Sequence, residues 1–485
     1  MSEIVNLEPR IVWEQFDAIT QVPRPSKKEG KIIEFLVDFA RKHNIEYKKD
    51  AIGNVVMRKP ATPGFEDRPA VILQSHMDMV CEKNSDVEFD FDNDPIRTHI
   101  DGGWVRAEGT TLGADCGIGM AAALAVMIDP AVQHGPALEA LFTVDEETGL
   151  TGAFELGEEM LTGKYLINLD SEDEGEIFIG CAGGIDTIAT FRYAMEEAPK
   201  NYSFFRVDVS DLQGGHSGME IGKNRANANI LMGRFLYGLK EQLPYELAEL
   251  EGGQKDNVIP RECSCALLIQ PEDTEILKDY ACRLTAELRK EYSGSDAGIS
   301  VSVEFQEETQ IGVLHPVSQE KVLFYLMNVP NGVQKMSGNI PGLVETSTNL
   351  GAARLEDEVF YASCGVRSSV NSAKYAVSDK IEYLTEFLGG DYKKEGEYPA
   401  WEYREQSPLR EHMIEVYQDM YQKAPRVEAV HAGLECGLFY EKIPGLDCVS
   451  TGPNLWDIHT PQEKMEIASV RRVWEYLIQV LATMR

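Results

Sequence analysis

Positive charge is scarce in this sequence: 485 residues hold 46 Lys plus Arg against 80 Asp plus Glu, a formal net charge of −34. A field of that sign repels phosphate backbones and anionic lipid headgroups, which argues against nucleic acid and against an anionic membrane as partners. Long apolar runs are missing as well. No stretch approaches the ~20 residues that span a bilayer. The opening Met-Ser-Glu-Ile-Val has neither the basic nor the apolar region of a signal peptide, so the expected location is the cytoplasm. The nine cysteines are odd in number and contain no C-x-x-C pair, which points to reduced thiols. Cys263 and Cys265, two apart in a strand-like run, read as fillers and not as a zinc knuckle. Phosphate-loop signatures are absent too: the glycines at 113, 117 and 119 are not followed by Lys-Ser/Thr and form no G-x-G-x-x-G.

What is present is globular, with 43% hydrophobic and 26% charged residues. At roughly 100–200 residues per domain, the length implies more than one core. The stretch Ser75-His76-Met77-Asp78 follows Pro69-Ala70-Val71-Ile72-Leu73, a short apolar run that predicts a buried strand. Side chains alternate along an extended chain, so the H-x-D spacing puts both polar groups on one face. A lone H-x-D is a surface accident more often than a site. The pattern repeats, however. The apolar run 137–144 ends in Asp145-Glu146-Glu147, and 165–169 ends in Asp170-Ser171-Glu172-Asp173-Glu174. Asp115 lies among glycines at the entrance to an alanine-rich helix over 120–128, where backbone and ligand can approach closely. Strands alternating with helices predict an α/β catalytic domain on a mostly parallel sheet, with ligand-type residues at the strands' carboxyl ends.

Beyond residue 190 the texture changes. A strand at 204–209, a helix at 224–242, an alternating run at 258–269, a helix at 272–292 and a strand at 299–305 are five elements that read as a β-α-β-β-α-β unit. A weaker copy follows, giving ferredoxin-like halves at about 200–306 and 313–397. From 398 the α/β texture returns, with a last ligand candidate in Asp457-Ile458-His459-Thr460 before a C-terminal helix over 467–484. The expected organisation is a catalytic domain in two segments, 1–190 and 398–485, around an inserted α+β lid at 191–397.

H-x-D at 76–78, G-A-D-x-G-x-G at 113–119, D-E-E at 145–147, N-L-D-S-E at 168–172, G-G-H-S-G at 214–218 and the late His459 together resemble the M20 family of two-zinc peptidases. The doubled insertion and His431-Ala432-Gly433-Leu434-Glu435-Cys436-Gly437 look like its aminoacyl-histidine dipeptidase branch. The resemblance implies His76 and Asp170 on one metal, Glu147 and His459 on the other, and Asp115 bridging. It implies Asp78 behind the His76 ring, Glu146 as general base, and His216 as an oxyanion donor from a lid that closes. Asn257, Arg367, Gly433 and Glu435 fall at substrate-binding positions, Arg367 being suited to a terminal carboxylate. Oxygen and imidazole ligands suit Zn2+, Co2+ or Mn2+.

The implied activity is hydrolysis of dipeptides with a free amino end, preferentially Xaa-His such as β-alanyl-histidine. The alternatives are a deacylase or tripeptide aminopeptidase on the same site, or a catalytically silent peptide- or metal-binding protein. A small peptide is the expected partner, with a homodimer open. Many relatives borrow the lid histidine from a partner subunit, and whether His216 acts in cis is left open. Glu172, Asp173 and Glu174 read as a solvated turn. His431 fits a buried hydrogen-bonded residue and a substrate contact equally well.

Overall fold

The computed structural model describes residues 2–307 and 312–484. The chain divides into two compact units. The first comprises the residues up to Gly180, Tyr403–Ala429 and those from Leu434 on; the second comprises Cys181–Glu402 and Val430–Gly433. The break after Gly180 falls earlier than 190, because Gly183–Arg192 is a strand of the second unit's sheet.

The first unit is built on an eight-stranded sheet in the order Glu46–Lys49, Val55–Lys59, Leu138–Thr143, Val71–His76, Tyr165–Asn168, Asp447–Ser450, Glu176–Cys181, Arg426–Val430. The four strands from Leu138–Thr143 to Asp447–Ser450 are parallel. The strands flanking them, Val55–Lys59 and Glu176–Cys181, pair antiparallel. Every residue of Val71–His76, Leu138–Thr143 and Asp447–Ser450 is buried, as expected where helices cover a parallel sheet on both faces. Helix Ala114–Ile128 packs on Val71–His76 and on helix Arg10–Thr20. Parallel direction puts the carboxyl ends of the central strands at one edge. His76 is in register with Thr143, and Gln74 with Asn168, so Asp145–Glu147 and Asp170 emerge beside His76. A separate four-stranded sheet, in the order Leu455–Trp456, Lys464–Glu466, Trp104–Ala107, Thr98–Asp101, carries His459 between its first two strands.

In the second unit one sheet runs Ser300–Gln306, Ser203–Ser210, Cys263–Ile269, Glu246–Gly252, Val344–Glu356, Val359–Ser368, Gly183–Arg192, Asp391–Tyr398. Two β-α-β-β-α-β halves share it, one nested in the other. The half starting at Ser203 is inserted between the first strand of the other half, Gly183–Arg192, and its first helix, Pro316–Asn328. The half expected at 313–397 therefore extends back to Gly183–Arg192, a strand that precedes the whole of its neighbour in the chain. The run at 258–269 contributes the strand Cys263–Ile269. The strand beside it, Glu246–Gly252, escaped the alternation pattern because a register shift between Leu247 and Glu249 breaks the period.

Candidate active site

At the carboxyl edge of the first unit's sheet, Asp115 stands between two histidines. Its Oδ1 lies 3.0 Å from His76 Nε2 and its Oδ2 lies 3.1 Å from His459 Nε2. Each half has a further carboxylate: Asp170 Oδ1 is 3.3 Å from His76 Nε2, and Glu147 Oε2 is 3.1 Å from His459 Nε2. Five side chains from five separate stretches of chain converge in this way. Gly113, at φ 67°, and the non-helical Asp115 and Cys116 make the bend that turns Asp115 out of its helix, and the Asp115–Cys116 peptide is cis.

The donor set fits divalent cations. Ligand atoms of Asp115, Glu147 and His459 all lie within 4.8 Å of one another, as do those of His76, Glu146 and Glu147. Glu147 Oε1 and Asp170 Oδ1 are buried without a hydrogen-bond partner. Buried polar atoms are rarely left so, and orphaned oxygens in a carboxylate cluster fit the donor set of a cation site. Like charges about 4 Å apart repel by roughly 4 kcal/mol at an effective dielectric of 20, so these carboxylates cannot all ionise unaided. The protonation equilibria record that strain. Burial and then the like charge of Asp115 hold Asp170 up at about 6, against the pull of His76. Burial, with Asp170, Glu435 and Glu147, pushes Glu146 well above the carboxylate range. Burial disfavours a charged His76, yet Asp170, Asp115 and Asp78 raise it well above the imidazole range. A second carboxylate cluster, Glu29, Asp78 and Asp145, shows the contrast: its oxygens are claimed by protein donors. Cys116 lies near His76 and Asp170, but burial pushes its thiol far up and its Sγ donates to Leu169 O at 3.3 Å, so it does not serve as a thiolate.

Asp78 anchors both His76 and the Glu146-Glu147 turn. Its Oδ1 accepts the Glu146 N–H at 3.0 Å and its Oδ2 accepts the Glu147 N–H at 3.3 Å and the Ser26 hydroxyl at 2.8 Å. His76 Nδ1 lies 3.3 Å from Oδ1, an ion-pair distance without hydrogen-bond alignment. Burial works against ionisation of Asp78, but the His76 contact and the other donors bring it down to about 2. Two adjacent glutamates are thereby held by their backbones, leaving their side chains for different work.

Glu435 belongs to this unit and is buried. Its Oε2 accepts from Gln74 at 2.6 Å and from Thr143 at 2.9 Å, its Oε1 has no partner, and burial raises it to about 8. Glu172 is half-buried, and burial, followed by Asp115 and Asp170, raises it to about 8. It is therefore not the solvated turn residue expected. Glu174 pairs with Arg472 through two contacts of 2.6 Å.

The remaining candidates lie in the second unit and form a cluster there. Gly215 and His216 pair with Ile259 and Val258 in a two-residue ladder, and Ser217 N donates to Asn257 O at 2.9 Å. His216 Nδ1 accepts the N–H groups of Gly218 and Met219, both at 3.2 Å. That fixes the proton on Nε2. Burial and then Arg367 lower its pKa, so the ring is neutral and presents an Nε2–H. Arg367 Nη1 donates to Tyr398 Oη at 2.6 Å, while its buried Nε has no partner. Gly433 packs on Tyr398, whose ring atom Cε2 would meet an added Cβ at 2.8 Å. Asn257 is exposed on a loop held by Asn349, which donates to Asp256 O and Val258 O. His431 is buried, with Nε2 2.7 Å from Ser347 Oγ, and burial together with Arg367 lowers it to about 4.

Sequence reasoning passed over two buried charges that hold ligand loops, Arg24 and Glu463. The one available signal was a charged residue beside an otherwise structural feature: Arg24 between Pro23 and Pro25, and Glu463 shortly after His459.

Residues 72–483 match the model of peptidase family M20/M25/M40. The cytosol non-specific dipeptidase of Escherichia coli (strain K12) is 39% identical over 481 residues, covering 99% of each chain. The crystal structure of aminoacylhistidine dipeptidase from Vibrio alginolyticus superposes with a TM-score of 0.94 at 38% identity, over 100% of this chain and 98% of that one. An aminopeptidase PepT from Bacillus cereus shares the fold, with a TM-score of 0.56 at 16% identity over 98% of each chain. Among the described residues no helix is long and apolar enough to cross a membrane.

Proposed function

The chain belongs to peptidase family M20/M25/M40 and is a peptide hydrolase, and on that footing we propose that it cleaves dipeptides with a free amino end, Xaa-His among them, using two divalent cations. The observation that carries this reading is the straddling position of Asp115, one oxygen toward His76 and the other toward His459, each half closed by a further carboxylate. In the proposal His76, Asp115 and Asp170 hold one cation and Asp115, Glu147 and His459 the other. Zn2+ is the first choice and Co2+ or Mn2+ fit the same donors. Bound there, the pair supplies an acidified water and a counter-charge for the oxyanion.

The protein's own groups do the rest. Glu146, half-buried and within ligand distance of His76 and Glu147, acts as the carboxylate that takes a proton from the attacking water and delivers it to the leaving amine. Asp78 fixes the ring of His76 and the backbone from which Glu146 acts. His216 offers its Nε2–H to a substrate carbonyl, and Arg367, with its unpartnered Nε, takes a substrate carboxylate. Asn257 and Gly433 complete substrate contacts in this reading. Glu435, turned toward Gln74 and Thr143, contributes from behind the site. A cytosolic location accords with the name of the Escherichia coli relative.

Competition among β-alanyl-histidine, a tripeptide and an N-acetyl amino acid, with metal-stripped and zinc-restored protein, tests the proposal. Dipeptides should win and the stripped protein should be inert. Preference for the acetylated compound or the tripeptide would move the assignment within the family.

A further inference from the structure

The loop carrying His459 differs from the other ligand-bearing segments. His76 ends a buried strand, whereas His459 stands on the connection between Leu455–Trp456 and Lys464–Glu466 with its side chain 45% exposed and φ at 60°. Little packing holds such a ring in place. The same loop, however, sends one carboxylate inward. Glu463 is 2% exposed and accepts the backbone N–H groups of Leu112 at 2.6 Å, Gly113 at 3.0 Å and Ala114 at 2.8 Å. These are the three residues immediately before Asp115. Gly113, at φ 67°, lets the three amides converge as an anion nest. The carbonyl of Gly113 accepts from buried Arg24, which also holds the carbonyls of Met77 at 3.1 Å and Asp78 at 2.6 Å. Three ligand loops are thus tied in series, the first through Arg24 and the last through Glu463.

We propose that Glu463 is a positioning residue that fixes His459 against Asp115, and that it sets the affinity of the cation position formed by Asp115, Glu147 and His459 while leaving the position formed by His76, Asp115 and Asp170 unchanged. The inference rests on the two-cation reading above. The asymmetry follows from the ties: without the nest, Asp115 keeps its helix and its Arg24 tether, whereas the His459 loop keeps its own hairpin and the Arg106–Gln462 contact but loses the Glu463 tie to the Asp115 segment. Glutamine at 463 would turn an NH2 group toward at least one of the three amides and so break the nest without changing its shape.

The test uses the full chain stripped with chelator and titrated with Co2+ alone, followed by visible absorption and equilibrium dialysis, with thermal unfolding of the metal-free forms recorded in parallel. The native protein should take two Co2+. Glu463→Gln should weaken one of the two roughly 10–100-fold, the range for groups that orient a ligand, and leave the other within about threefold. Glu463→Asp, which keeps the charge with a shorter reach, should weaken the same position less; it also answers the question if the glutamine variant does not fold. Equal weakening of both positions, or of neither, would overturn the role given to Glu463. Fewer than two Co2+ on the native protein would overturn the two-cation reading itself.

Discussion

An Asp78→Asn substitution removes one charge and converts one acceptor oxygen into a donor while preserving shape. The native carboxylate holds the Glu146 N–H at 3.0 Å and His76 Nδ1 at 3.3 Å on one oxygen, and Ser26 Oγ at 2.8 Å and the Glu147 N–H at 3.3 Å on the other. The Ser26 hydroxyl can rotate to accept, but the Glu147 amide cannot. The least costly asparagine rotamer therefore keeps the first oxygen and sets its NH2 against the Glu147 N–H. One charge-assisted hydrogen bond is lost, worth about 1.5–3 kcal/mol. The surviving contacts fall to neutral strength, a further loss of about 1 kcal/mol. The sum, near 3 kcal/mol, is roughly a 100-fold loss in kcat/KM if it is felt in the transition state. Steady-state kinetics on a dipeptide at saturating metal measures it. A loss below about fivefold would refute Asp78 as the joint anchor.

Glu146→Gln should retain both cations, by elemental analysis, while turnover falls at least ~100-fold, the lower end for a lost general base. Arg367→Ala should cost dipeptides roughly 10–100-fold in kcat/KM, as expected for charge-assisted contacts, and cost their C-terminal amides much less. For His431 the native pKa, about 4, lies below the unfolded value near 6.5. The unfolded chain therefore binds the proton first, and the contribution of this residue is complete above pH 6.5 and lost as pH falls toward 4. That loss reaches about 3 kcal/mol at most, and urea unfolding of native protein against His431→Asn across this window should show the difference closing as the pH drops.

The ligand-type residues were legible because their chemistry is written into side-chain identity at strand ends: His76, Asp115, Glu147 and Asp170 each follow or open a recognisable apolar element. The central strands were legible for the same reason, since burial on both faces leaves unbroken apolar runs. Other features carried no such mark. Arg24 and Glu463 act on backbone carbonyls and amides, which every residue possesses, so nothing in the sequence points to their partners. Gly183–Arg192 pairs with Val359–Ser368, far along the chain, and local periodicity cannot show that one half is nested in the other. Glu172 looked solvated because its neighbours are acidic, and only the fold reveals that it faces Asp115 and Asp170.

Anomalous diffraction at the zinc edge from crystals of the zinc-loaded protein addresses the convergence of five side chains on a cation pair most directly. Two peaks should appear, one among His76, Asp115 and Asp170 and one among Asp115, Glu147 and His459. A single peak, or peaks away from both carboxylate oxygens of Asp115, would contradict the account.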